Sequence, residues 1–135
     1  MPAARSIWRQ LETLVAPAQI SPTALIDMTP ARLRTAGVSP QKAGYLLDLS
    51  KKVIDGDVRL PQLSRLPDDA VIAELIKVKG IGEWTAQMFL MFSLGRLDVL
   101  PHQDLGIRTA LRNLSGLADL PDKVTCHNIA RPWRP

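Results

Sequence analysis

The chain has 135 residues, which suits a single domain and leaves little room for a second. Hydrophobic residues make up 46% and charged residues 22%, a composition that supports a packed core and excludes wholesale disorder. The formal net charge of +4 is compatible with a polyanionic partner and equally with an ordinary solvated basic surface. The single cysteine, Cys126, excludes an internal disulfide and a cysteine-ligated metal centre built by this chain alone, and no apolar run is long enough to span a membrane.

Four helices are predicted in the first half of the chain. Apolar residues recur at helical spacing over residues 3–15. Three further helices are predicted to begin where a hydroxyl residue precedes a proline, because the hydroxyl can cap a helix and the proline fits its first turn. These pairs are Ser21-Pro22, Thr29-Pro30 and Ser39-Pro40. Gly37 and Gly56 end the second and third of these. The buried side of the third is predicted to consist of Ala43, Leu46, Leu47, Leu49, Val53 and Ile54.

Four more helices are predicted in the second half, over residues 70–77, 83–94, 104–114 and 121–130. The buried side of the first is predicted to consist of Val71, Ile72, Leu75 and Ile76. Core positions at helical spacing in the second are Met88, Met91 and Phe92. No segment shows the period-two alternation of a strand, so the predicted fold class is all-α, with no internal repeats.

A tight reversal separates the helices predicted over 70–77 and 83–94. It consists of Gly80-Ile81-Gly82, whose glycines permit positive φ and a close backbone approach. The amides that open the following helix are unpaired and aligned with the helix dipole, so they favour an anion such as a DNA phosphate. Lys77 and Lys79 flank this position. The alternative is an ordinary turn between two helices.

Two motifs resemble the helix-hairpin-helix DNA glycosylase superfamily. One is the segment over residues 75–90, and the other is the loop over residues 97–108, where Asp104 stands at the position of the family's aspartate. Within the superfamily the sequence most resembles the bacterial 3-methyladenine DNA glycosylase II type, and the similarity extends from about Ala3 to Pro135. It implies a multi-helix orthogonal bundle with residues 1–135 as its catalytic core. The DNA phosphate-binding residues that it implies are Lys77, Lys79, Gly80, Ile81, Gly82 and Thr85.

The resemblance also implies a reaction. Such enzymes flip the damaged nucleotide out of the duplex, and a carboxylate stabilises the oxocarbenium character that develops on the sugar. Asp104 is the implied catalytic residue. Members that also cut the backbone carry a lysine two residues after the second hairpin glycine, where this chain has Trp84, which implies a monofunctional enzyme that uses water. Trp84 and Met88 are the implied base-binding residues, since an indole face attracts cationic alkylated purines.

Some of these residues also have a structural interpretation. Asp104 fits the N-cap of the helix that follows it. His102 is interpreted as a surface loop residue, and Arg108 as either a structural or a phosphate contact. Trp8 and Trp133 are interpreted as packing residues.

The resemblance implies neither cofactor nor metal, a double-stranded DNA partner containing alkylated bases, no membrane, a monomer, and a cytoplasmic, nucleoid-associated bacterial location. Relative to family members the sequence is expected to be truncated at both ends: it lacks the segment that fills the gap left by the flipped base and a C-terminal aromatic-rich helix. Three functions therefore stay open. They are a glycosylase for alkylated purines such as 3-methyladenine and 7-methylguanine, a non-catalytic DNA-binding fragment of the family, and a helical interaction module.

Overall fold

The computed structural model describes residues 2–135, with side chains from residue 3 onward, and every regular element in that range is helical. This confirms the all-α class. The α-helices are α1 (Pro2–Val15), α2 (Pro22–Ile26), α3 (Pro30–Thr35), α4 (Pro40–Ile54), α5 (Asp68–Leu75), α6 (Glu83–Phe92), α7 (Leu105–Ser115) and α8 (Lys123–Ala130). Two 3₁₀ segments, Leu60–Arg65 and Arg131–Trp133, were not predicted. Within the described range, no helix combines the length and the apolar character that a membrane span requires.

The three predicted hydroxyl caps are confirmed. The side chains of Ser21, Thr29 and Ser39 each accept a hydrogen bond from the backbone amide three residues later, at 3.2 or 3.3 Å. A proline follows each cap within the first turn, where the missing amide hydrogen has no helical acceptor to lose. Local chemistry therefore determines where α2, α3 and α4 begin.

One compact unit comprises the chain up to Leu66 together with Ala73–Ile81. In this unit α2 and α3 pack against α4. The buried core that they share with α1 consists of Leu11, Val15, Leu25, Leu33, Ala36, Val38 and Ala43. Burial of this apolar surface holds α4 in place by the hydrophobic effect.

The second compact unit comprises Pro67–Ile72 and Gly82–Pro135. Its buried apolar residues include Ala86, Leu90, Leu111 and Cys126. Arg108 Nε of α7 donates to the carbonyl oxygen of Pro121 at 2.9 Å, which ties α7 to the segment before α8. Of the two interpretations of Arg108, the structural contact is the one observed.

Burial was predicted wrongly from the sequence at five positions. The side chains that are exposed instead are Trp8, Ile54, Ile76, Phe92 and Trp133, with Phe92 at 83%. At Ile76 the reason is that α5 ends at Leu75, two residues earlier than predicted, and a tighter turn follows, in which the Val78 amide donates to the Leu75 carbonyl at 3.1 Å. Val78 then takes the buried position. Elsewhere, spacing identifies the residues of one helix face but not whether another element covers that face.

Candidate functional site

Asp104 caps α7 and contacts Trp84. Its Oδ1 accepts from the backbone amide of Ile107 at 3.1 Å, which is the N-cap geometry that the sequence also allows. Its Oδ2 accepts from the indole Nε1 of Trp84 at 3.1 Å. Two candidate site residues 20 positions apart are thus in direct contact within the second unit.

Both hydrogen bonds favour the charged form of this carboxyl group. The Ile107 amide, and after it the Trp84 indole, hold the pKa of Asp104 below its ordinary value. The side chain is therefore an ionised carboxylate at neutral pH, and each of its oxygens has a fixed donor. A carboxylate held in this way can stabilise a positive charge that develops beside it.

Trp84 lies in the first turn of α6, and its side chain is 43% exposed. The hydrogen bond to Asp104 uses the N–H at the edge of the indole and not its ring faces. Met88 follows one helical turn later and is half-buried. A common base pocket formed by these two side chains stays a prediction.

His102 is buried, at 6% exposure, so its interpretation as a surface histidine is wrong. Its Nε2 lies 3.7 Å from Glu83 Oε2, and its ring centroid lies 5.6 Å from that of His127 in α8. The backbone of the same loop is held by bonds from the His102 amide to the Leu100 carbonyl and from the Asp104 amide to the Pro101 carbonyl, both at 2.9 Å. His102 thus packs inside the loop that carries Asp104. Because these partners lie far away in sequence, local pattern gave no signal for its burial.

The first half of the hairpin, up to Ile81, is tightly constrained. Gly80 has a φ of +85°, and a Cβ added to it would collide with the ring of Tyr45, so only glycine fits. The Lys79 backbone amide donates to Asp48 Oδ2 at 2.7 Å. The Lys77 ammonium donates to Glu74 Oε2 at 2.6 Å and to the Asp57 carbonyl at 3.1 Å. Lys77 is therefore already ion-paired, whereas the Lys79 side chain makes no hydrogen bond to the described residues.

The second half of the hairpin starts at Gly82, the N-cap of α6. No side chain caps this helix, in contrast to α2, α3, α4, α7 and α8. Gly82 has a φ of −97°, which any residue can adopt, and nothing lies within 4 Å of a Cβ added there. Of the two glycines that permit a positive φ, Gly80 adopts one and Gly82 does not. The amide donors of the first turn of α6, which includes exposed Thr85, are left without a side-chain cap.

Comparison with known proteins gives consistent matches. The family described as HhH-GPD superfamily base excision DNA repair protein matches residues 1–135. The putative DNA-3-methyladenine glycosylase YfjP of Bacillus subtilis is 33% identical over 84% of this chain and 40% of its own length. DNA-3-methyladenine glycosylase 1 of Schizosaccharomyces pombe is 34% identical over 98% of this chain and 60% of its own length. The chain thus spans about half the length of these curated relatives.

Two solved structures resemble this one closely. The crystal structure of a DNA-3-methyladenine glycosidase from Bacillus halodurans superimposes with a TM-score of 0.82 at 36% identity, covering 100% of this chain and 62% of that chain. The Schizosaccharomyces pombe 3-methyladenine DNA glycosylase Mag1, in complex with abasic DNA, superimposes with a TM-score of 0.74 at 32% identity, covering 97% of this chain and 66% of that chain.

Proposed function

Because the chain belongs to the HhH-GPD superfamily of base excision DNA repair proteins, we propose that it is the catalytic core of a monofunctional DNA glycosylase. Its reaction is hydrolysis of the N-glycosidic bond of alkylated purines, of which 3-methyladenine and 7-methylguanine are the proposed substrates. The names of the relatives, which are 3-methyladenine DNA glycosylases, support this substrate class.

The single observation that carries the proposal is the ionised, doubly hydrogen-bonded carboxylate of Asp104. Glycosidic cleavage places positive charge on the sugar, and a carboxylate whose donors are already in place stabilises that charge without reorganising. An alkylated purine that is already cationic leaves without a strong general acid. Trp84 stands where strand-cutting relatives carry a lysine, so this site offers no amine for a Schiff base, and water is the nucleophile.

The proposed base-binding residues are Trp84 and Met88. The indole faces suit stacking on a flipped purine, and they attract a cationic base more strongly than a neutral one. Met88, one turn further along α6, offers a polarizable apolar contact beside it. Selection of cationic purines thus follows from ring electrostatics.

The proposed partner is double-stranded DNA, held through its phosphates by Lys77, Lys79, Gly80, Ile81, Gly82 and Thr85. The uncapped start of α6 supplies amide donors, and Lys79 supplies an ammonium group that makes no ion pair among the described residues. The relative from Schizosaccharomyces pombe in complex with abasic DNA supports this partner. Binding of this kind is independent of base sequence, because phosphate contacts carry no base information.

Release of methylated bases from a duplex tests the proposal. We expect the chain to release them, and Asp104→Asn to slow release by about two orders of magnitude or more, on the scale of a lost electrostatic contact in a transition state. Asparagine is also a good N-cap, so the variant keeps the start of α7 and the fold. DNA affinity is expected to stay unchanged, because the lost interaction acts mainly in the transition state.

A second candidate is DNA binding without base release. The bond from the Ile107 amide to Asp104 favours it, since an N-cap role accounts for this aspartate without any chemistry. In that case the chain binds duplex DNA, while neither the parent nor Asp104→Asn releases bases.

A further inference from the structure

Two side chains of α4 hold the first half of the hairpin. Asp48 Oδ2 accepts from the Lys79 amide at 2.7 Å, and the ring of Tyr45, one helical turn earlier, lies directly against Gly80. Neither residue belongs to the hairpin motif, and 31 positions separate Asp48 from Lys79. The contact comes from the packing of the first compact unit, in which all four residues lie.

The amides of the turn differ in whether they already have a hydrogen-bond acceptor within the protein. The Lys79 amide donates to Asp48, and the Ile81 amide donates to the Val78 carbonyl at 3.1 Å. The Gly80 amide has no acceptor among the described residues. An unpaired amide in a turn is a donor for an anion.

A neighbouring lysine on the same helix compensates the negative charge of Asp48. Lys52 Nζ, one turn later on α4, bonds both carboxylate oxygens, at 2.8 and 2.7 Å. The Lys52 ammonium, and after it the Lys79 amide, hold the pKa of Asp48 below its ordinary value. Asp48 is therefore ionised at neutral pH, yet its repulsion of a nearby phosphate is reduced by the paired lysine.

We infer that Asp48 is a positioning residue for DNA binding: its carboxylate fixes the turn at Lys79, so that the Gly80 amide is presented to a phosphate. The inference rests on the proposed function, because it concerns the phosphate site of that function. For removal of the Asp48 carboxylate, it predicts a change in DNA affinity opposite in sign to the change that simple electrostatics predicts. Removing a negative charge close to DNA strengthens binding in general, whereas removing the acceptor that holds the turn weakens it.

The test compares Asp48→Ala, Asp48→Leu and Asp48→Asn in salt titrations against a short undamaged duplex, measured by fluorescence anisotropy. Alanine and leucine lack an acceptor, and leucine keeps a similar volume. We expect both to bind about tenfold more weakly, the scale of one lost hydrogen bond to a charged group. The salt slope stays unchanged, since the number of phosphate-neutralising cations is the same. Asparagine keeps an acceptor oxygen for the Lys79 amide and is expected to bind within about twofold of the parent.

Asp55→Ala is the matched control. Asp55 is the C-cap residue of α4, and like Asp48 it is a carboxylate paired with a lysine of this helix, Lys51 at 2.6 Å, but it holds no part of the hairpin. We expect parental DNA affinity for this variant. Equal or tighter binding by Asp48→Ala and Asp48→Leu would overturn the inference, and so would an asparagine variant as weak as alanine.

Failure of the DNA binding on which the inference rests has a different signature, namely a parent chain that does not bind duplex DNA in a salt-dependent way. Hydrogen exchange of the Lys79 amide then decides the structural part of the inference. Exchange faster in Asp48→Ala than in the parent supports Asp48 as the residue that holds the turn, and unchanged exchange refutes it.

Discussion

At the scale of single residues, the bond from Trp84 Nε1 to Asp104 Oδ2 separates one role of the tryptophan from the role proposed for its ring. The N–H holds a carboxylate oxygen and stabilises its charge, while the ring faces are proposed to stack on a base. Phenylalanine keeps most of the ring and removes the N–H, and alanine removes both. Substitution can therefore separate positioning of the carboxylate from recognition of the base.

For Trp84→Phe we expect the pKa of Asp104 to rise toward its ordinary value, because one of the donors that lower it is gone. A reaction that needs the carboxylate is lost as the pH falls through this pKa, so the acid limb of base release moves to higher pH. Titration of the Asp104 carboxyl by NMR and the pH profile of kcat measure the shift. Trp84→Ala should in addition raise KM for cationic purines. Identical titration of Asp104 in the parent and in Trp84→Phe would show that the indole does not affect it.

At the scale of elements, the hairpin between α5 and α6 uses its two glycines differently. Gly80 is required by a left-handed φ and by the ring of Tyr45. Gly82 is required by neither, since its φ is ordinary and open space surrounds the position of a Cβ. Its missing side chain instead leaves room at the start of α6, where a phosphate is proposed to bind.

We therefore expect Gly80→Ala and Gly82→Ala to affect different properties. Gly80→Ala should lower the free energy of unfolding by about 1 kcal/mol or more, because of left-handed strain and the clash with Tyr45. Gly82→Ala should leave stability close to that of the parent but weaken duplex binding, because its methyl group obstructs the approach to the first-turn amides. Thermal melts and anisotropy titrations on both variants measure the two effects. Parental DNA affinity in a folded Gly82→Ala variant would argue against phosphate binding at this helix start.

Helix starts could be predicted from the sequence far better than long-range contacts. Ser39 and the residues that it caps are neighbours in the chain, so the residue types alone indicate the bond. Burial of His102 and the bond from Lys79 to Asp48 depend on elements that meet only after folding. Asp104 and Trp84 were predicted as site residues through the motifs that carry them, but their hydrogen bond was not.

At the scale of the whole molecule, the net charge of +4 attracts any polyanion, whereas the proposed function needs positive charge at one place. Substitutions of individual lysines distinguish attraction by the net charge from binding by charge at the hairpin. Lys79 makes no ion pair within the described residues, Lys77 is paired with Glu74, and Lys51 is paired with Asp55 on α4. Replacing any one of them by alanine lowers the net charge by the same amount.

If the hairpin is the DNA-binding element, the salt dependence of duplex binding should respond to these three substitutions unequally. We expect Lys79→Ala to reduce the magnitude of the slope of log K against log salt by about 1, as the loss of one phosphate contact does. Lys77→Ala should reduce it less, because Glu74 already compensates part of that charge. Lys51→Ala should leave it at the parental value. Equal reductions in all three variants would argue against the hairpin as the DNA-binding element, because the slope counts the cations that neutralise phosphates and Lys51 would then contribute as much as Lys79.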